Sequence, residues 1–357
     1  MVKTANKGEW SELYAFFKLL GDKVLYKGDE NLNPIKDVFY PIIKIIRENK
    51  DYKIDSSSEI IFIKENGDII NRISVTEFKR QSIFILNKIN ENTGAFAIPE
   101  IEEFMNMVSC SSIKAPSTDK TDIKIVIHDI RTGICPTLGF SIKSELGAKS
   151  TLVNTSKATE FIYNIQGYHF SKDEINEINS ISSRSKIKDR INMIYEKGGK
   201  LVFSNMTSST FSNNLVVIDS LLPNILSEMI LMYFCHSISD INILSRKLQE
   251  INPIGYDTSL SHKFYEYKIK HLLTDFALGM LPSKKWNGNY DANGGFLIVK
   301  EDGDILCYHI YDKYYFEEYI INNTRFDTPS SSRHNYGTIE EVDNNQIFKL
   351  NFQIRFK

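Results

Sequence analysis

Two neighbouring stretches constrain this chain most. DIKIVIHDI (122–130) and TLGFSIKSEL (137–146) each alternate in the period of a strand, and only RTGICP separates them. So short a connection, with Gly133 to take up a reversal, makes them consecutive antiparallel strands. On the second, Phe140, Ile142 and Ser144 share one face while Ser141, Lys143 and Glu145 share the other. A lysine therefore stands in the middle of a strand that otherwise reads as buried. With the chain reversing near Thr132-Gly133, the pairing puts Asp122 across from Lys143.

An aspartate at the head of one strand and a lysine inside its neighbour suit phosphodiester hydrolysis. The carboxylate binds a divalent cation, and the lysine orients the attacking water and offsets charge on the phosphorus. Such sites usually carry a second acid two residues before the lysine, and here that position is Ser141, a poor ligand for Mg2+. The missing carboxylate is either absent or comes from Glu160 on the next helix, Glu145 on the same strand face, or Glu9 or Glu12 on the first helix. An ordinary cross-strand ion pair explains Asp122 and Lys143 equally well, and both readings stay open here.

Other chemistries fit poorly. LGAKST lacks the glycine that a phosphate-binding loop needs where this chain has Lys143 and Ala148. His128 has no partnering histidine or zinc cluster, Ser141 has no readable His and Asp companions, and no histidine pair has HExxH spacing. Cys110, Cys135, Cys235 and Cys307 show no metal-ligand spacing and are expected as reduced core residues. The net charge of −2 excludes a globally basic protein, so any polyanion site has to be local. Two basic runs qualify, 184–200 and 263–285, although either could be a solvated helix face.

At 357 residues and 42% hydrophobic, the chain has apolar residues for one large or two moderate cores. Trp10, Leu13, Phe17 and Leu20 predict a helix from about Glu9 to Gly21; further helices are expected at 77–89 and 99–108. Asn66-Gly67 and Asp302-Gly303 predict hairpins. NTSKATEFIYNI reads as a helix starting near Asn154 or Thr155, and mostly helical segments follow to about Leu281, among them 214–236, 241–251 and 260–281. KWNGNYDANGG is a linker, 314–321 a helix, and FKLNFQIRF a final strand. The fold class is α/β, or α+β mixed, with a central mixed sheet flanked by helices and additional helical and C-terminal β elements. MVKTANKGEW has no signal-peptide core, and LLPNILSEMILMYF is too short for a membrane span and is interrupted by Glu228; a soluble, cytoplasmic protein is expected.

Three separated blocks carry a more specific signal: NKGEWSELYAFFKLL, then KTDIKIVIHDI with GFSIKSELGAKSTLVNTSKATEFIYNI, then TRFDTPSSSRHNYG with KLNFQIRF. Together they resemble the HpaII-type type II restriction endonucleases over nearly the whole chain. The resemblance implies a PD-(D/E)XK nuclease core at 116–205, preceded by a helical and hairpin region at 1–115 that contributes to the DNA cleft. A mostly helical region at 206–285 and a β-rich recognition region at 286–357 follow.

The resemblance further implies Mg2+-dependent cleavage of double-stranded DNA at a short palindrome, CCGG in the namesake, leaving a 5′-phosphate and a 3′-hydroxyl. Asp122 then matches the metal-binding aspartate and Lys143 the lysine of the motif, while Ser141 departs from the usual acid. Some enzymes of the superfamily have serine there and recruit a glutamate from the following helix, which raises Glu160; Glu12, ahead of Glu9, resembles the first-helix glutamate, and the Ile142 carbonyl is a further ligand. Arg333 is the first candidate for DNA contact, with Ser332 and His334 beside it, Arg184 and Arg190 as phosphate contacts, and Lys149 as a further contact. A homodimer is implied, as is a cognate methyltransferase that is not a physical partner. The competing readings are a DNA-binding protein on this fold that has lost cleavage, which Ser141 favours, and a scaffold with no nucleic-acid role.

Overall fold

The computed structural model describes residues 3–55, 57–115 and 121–357. Its contacts divide the chain into two compact units. One comprises Met1–Ser150, Ala277–Gly279 and Tyr290–Tyr319; the other comprises Thr151–Phe276, Met280–Asn289 and Ile320–Lys357.

The first unit is built on a nine-stranded mixed sheet. Its order is Val24–Gly28, Ile305–His309, Gly295–Val299, Thr137–Ser144, Ile123–Ile127, Pro34–Arg47, Lys50–Asp55, Ile60–Glu65 and Asp68–Ser74. Thr137–Ser144 lies mid-sheet, parallel to Gly295–Val299 and antiparallel to Ile123–Ile127. A strand flanked on both edges and covered on both faces must be apolar almost throughout, and here Leu138 to Ile142 are all buried. The long strand Pro34–Arg47 falls in a stretch to which the sequence reading assigned no element.

Helix α1 (Lys7–Asp22) covers this sheet. Asn6 caps it by accepting from the Glu9 N–H at 3.0 Å, while the Glu9 carboxylate accepts from the Asn6 N–H at 2.9 Å. Trp10, Leu13, Phe17 and Leu20, the apolar stripe of the sequence, are fully buried. Helices α2 (Val75–Glu91) and α3 (Pro99–Met107) lock against α1 through edge-to-face contacts among Phe17, Phe78 and Phe104, with centroids 5.1 to 5.6 Å apart. Both expected hairpins are present, and the turn residues Gly67 and Gly303 adopt φ of 96° and 87°, which favours glycine.

The second unit pairs Lys200–Met206, Glu160–Gln166, Asn345–Asn351 and Ile339–Val342 in an antiparallel sheet, beside a smaller sheet of Thr151–Val153, Gln353–Phe356 and Thr324–Asp327. Several expectations are corrected here. NTSKATEFIYNI is not a helix: Ser156 caps a single 3-10 turn, Lys157–Thr159, and the strand Glu160–Gln166 follows. Phe161 and Tyr163 are fully buried between two partner strands, and that pairing overrides a weak helical pattern. Lys200–Met206, inside the region read as helical, is likewise a strand. The helix expected at 214–236 is two, Ser209–Ile218 and Leu222–His236, with Pro223 in the first turn of the second. FKLNFQIRF is two strands belonging to different sheets.

Of the cysteines, Cys110 and Cys307 are buried as expected, but Cys135 is exposed, because it sits on the connection between the Asp122 and Lys143 strands. Among the described residues no single helix is long and apolar enough to cross a membrane.

Candidate active site

The strand pairing determines what Asp122 meets. Ile123 pairs with Phe140, so Asp122 stands opposite Ser141 and not opposite Lys143, a slip of two residues from the expected register. The slip arises at the connection, where the Asp129 carbonyl accepts from the Gly133 N–H at 2.8 Å and tightens the reversal. A shift of two preserves the faces, so Ser141 and Lys143 still share one. Asp122 Oδ2 accepts from the Ser141 hydroxyl at 3.1 Å and from the Ile142 N–H at 2.6 Å, which holds the carboxylate against the lysine strand.

Lys143 is not the partner in a direct ion pair; among the described residues no carboxylate comes within 4.0 Å of its ammonium. Its Nζ lies 5.4 Å from the Phe296 ring centroid. Burial pulls its pKa below the ordinary lysine value, against the opposing fields of Asp122 and Glu12. The simple ion-pair reading therefore fails.

Glu12 and Glu9 take different parts. Glu9 is used by the helix cap and by an ion pair with Lys114. Glu12, one turn on along α1, accepts from the Ala115 N–H at 2.8 Å, and burial together with the nearby charge of Asp122 pushes its pKa up to about 7, against the opposing influence of that N–H, Arg47 and Lys114. Glu145 follows the strand end; its electrostatic neighbours are Lys149, Lys300, Glu301 and Asp302. A cavity of about 640 Å³ opens at Asp122, lined also by Arg47, Glu48, Ser112, Lys114 and Thr121. Arg47 and Glu48 went unnoticed in the sequence, where their stretch was given no element; Arg47 donates to the Ser112 carbonyl at 2.8 Å, and Glu48 accepts from the backbone N–H groups of Ser111 and Ser112 at 2.7 Å each.

Among the described residues no three His, Cys, Asp or Glu side chains are gathered as a metal site. The donor set nevertheless fits a hard divalent cation: Asp122 and Glu12 are both carboxylates, burial and the charge of Asp122 raise the cost of ionising Glu12, and a cation between the two would offset that cost.

Residues 6–356 match the HpaII restriction endonuclease family. The chain belongs to that family. It is 46% identical over 359 residues to the type II restriction enzyme HpaII of Haemophilus parainfluenzae, covering 99% of this chain and 98% of the relative. No solved structure matches. The protein is thus a type II restriction endonuclease acting on DNA, in a family whose members generally use a divalent metal.

The remaining candidates of this restriction endonuclease lie in its second unit, apart from Lys149, which is exposed beyond the lysine strand. A cleft of about 880 Å³ is lined by Lys157, Glu160, Lys186 and Arg333, with Ser332 and His334 on the same short helical turn, Ser331–His334, where the sequence predicts a loop. Glu160 opens a strand and not a helix, with Thr207 Oγ donating to its Oε2 at 2.9 Å. Arg190 is corrected as a phosphate contact: its guanidinium is buried and donates to the backbone carbonyls of Gly337, Asn179 and Ile181 at 2.6 Å each. It ties down the loop that carries Arg333. Arg184 is exposed at a neighbouring cavity that Lys188 and Arg325 also line. The basic run at 263–285 is partly neutralised, since Lys268 pairs with Asp219 while Lys263 and Lys270 pair with Glu266.

Proposed function

We propose that this restriction endonuclease cleaves double-stranded DNA at the palindrome CCGG, leaving a 5′-phosphate and a 3′-hydroxyl, with its hydrolytic site at Asp122, Glu12 and Lys143. The observation that carries the site is the Asp122 carboxylate, anchored by Ser141 and Ile142, with the Glu12 pKa pushed up to about 7 by burial and by the Asp122 charge, and Lys143 on the same strand face as Ser141. Asp122 and Glu12, with the Ile142 carbonyl, are the groups that would hold Mg2+. When bound, the ion supplies a Lewis acid that offsets charge on the phosphoryl oxygens.

The chain's own groups do the rest. Ser141 is a positioning residue: its hydroxyl donates to Asp122 and keeps the carboxylate in one orientation, so serine here is not the mark of a lost site. Lys143, whose pKa is pulled down by burial, in its neutral form orients the attacking water in line with the P–O3′ bond and takes up its proton at Nζ; as that bond breaks, the departing 3′ oxygen takes a proton from solvent to become the hydroxyl. The loop of Ser332, Arg333 and His334 contacts the bases, arginine being the side chain matched to guanine O6 and N7. Arg184 and Lys149 contact phosphates. A palindromic target calls for a homodimer, one subunit per strand. Foreign DNA is met in the cytoplasm, where a cognate methyltransferase protects the host sites.

Digestion of plasmid DNA in Mg2+ beside Asp122→Ala and Lys143→Ala, followed by sequencing of the ends, tests the reading. CCGG ends that vanish in both variants are expected, with rates down by a hundredfold or more, on the order of one lost electrostatic group or above. Undiminished cutting by either variant would remove that residue from the site. Protein that retards duplexes but cuts none would leave only the binding-protein reading.

A further inference from the structure

The Arg333 cleft holds a carboxylate that hydrolysis does not use. Glu160 is 6% exposed, yet it lines a cleft whose other charges are Lys157, Lys186, Arg333, the carbonyl-bound Arg190 and the pair Lys349–Glu340. Its Oε2 is taken by Thr207, while among the described residues Oε1 accepts no hydrogen bond and no cation lies within 4.0 Å of the group. That oxygen is left as an open acceptor on the wall of the cleft.

The walls around it are fixed. Arg190 holds the Gly337 carbonyl, and the buried Tyr336 hydroxyl donates to the Pro329 carbonyl at 2.7 Å, so the loop bearing Arg333 is tied at both ends. Glu160 itself stands at the start of a strand paired on both sides. A buried acceptor in a cleft that also presents an exposed arginine offers the pairing a G·C base pair requires: guanine offers O6 and N7 to an arginine, and cytosine offers its N4 proton to a carboxylate.

We propose that Glu160 is a specificity-determining residue that accepts the major-groove N4 proton of a target cytosine, while Arg333 in the same cleft reads a guanine. This rests on the nuclease reading above and reassigns Glu160 from the metal to the base.

The test is a chemical double-mutant cycle. Cleavage by the wild-type enzyme and by Glu160→Gln and Glu160→Ala is measured on duplexes in which each target cytosine in turn is cytosine, N4-methylcytosine or replaced by another pair, over a Mg2+ titration. N4-methylation removes the groove-facing proton and keeps the pairing one. At one symmetric position it should slow the wild-type by about 10- to 100-fold, the size of one base contact, and cost Glu160→Ala little more than it has already lost. The variants should lose discrimination at that position and keep the wild-type Mg2+ dependence.

Loss of cleavage on every duplex together with a raised Mg2+ requirement would overturn the proposal and return Glu160 to the metal. Unaltered base preference in folded Glu160→Gln would overturn it as well. Wild-type protein that neither cuts nor retards DNA would bring down the underlying reading, a failure distinct from either of these.

Discussion

At the scale of single residues, Ser141 helps to fix the orientation of the Asp122 carboxylate. The hydroxyl donates to the same carboxylate that a second acid would have repelled. Ser141→Ala removes one hydrogen bond to a charged group, worth about 1.5 kcal/mol, so a cleavage rate about tenfold lower with unchanged DNA binding is expected. A rate equal to the wild-type would mean the Ile142 N–H alone suffices. Glu48 makes a separate prediction. Burial opposes its ionisation, but four donors from Ser111 and Ser112 outweigh that and bring its pKa down to about 2. A carboxylate with a depressed folded pKa stabilises above its unfolded value of about 4.5, and the stabilisation disappears as pH falls from there towards 2. Glu48→Gln should lower stability at neutral pH by about 2 kcal/mol and flatten the acid limb between those values, as denaturant melts across pH would show. An acid limb as steep as the wild-type's would place the effect elsewhere.

At the scale of elements, α1 links fold to site. Its cap, Asn6 with Glu9, starts the helix, and one turn on the same helix delivers Glu12 toward Asp122. Asn6→Ala should cost about 1 kcal/mol in thermal stability and lower activity more than a surface substitution of equal stability effect, because the first turn frays next to Glu12. Equal activity loss in both would deny the link. The helix was readable because Trp10, Leu13, Phe17 and Leu20 mark one face at helical spacing. The segment after Val153 was not, because Thr, Lys, Ala and Glu carry helical propensity, and only pairing to Lys200–Met206 and Asn345–Asn351 makes Glu160–Gln166 a strand.

At the scale of the whole molecule, an enzyme that reads a palindrome with one site per chain needs two chains to cut both strands. Supercoiled plasmid should pass directly to linear DNA at protein concentrations where sedimentation shows dimers, and nicked circles should accumulate only on dilution. Persistent nicking by a sedimenting dimer would argue for sequential single-strand attack.

The sequence by itself determined that Asp122 and Lys143 lie on adjacent antiparallel strands, that α1 covers an apolar face, and that the chain is a type II restriction endonuclease, since each follows from local periodicity or from blocks of residues spread along the chain. It did not determine the register, because a two-residue slip leaves every face unchanged, and the choice fell to hydrogen bonds in the Asp129 turn. Nor could it show that Arg190 is spent on backbone carbonyls, that Glu9 caps while Glu12 faces Asp122, or that Glu160 shares a cleft with Arg333. Those assignments depend on which groups meet across long sequence separations, and only tertiary packing brings them together.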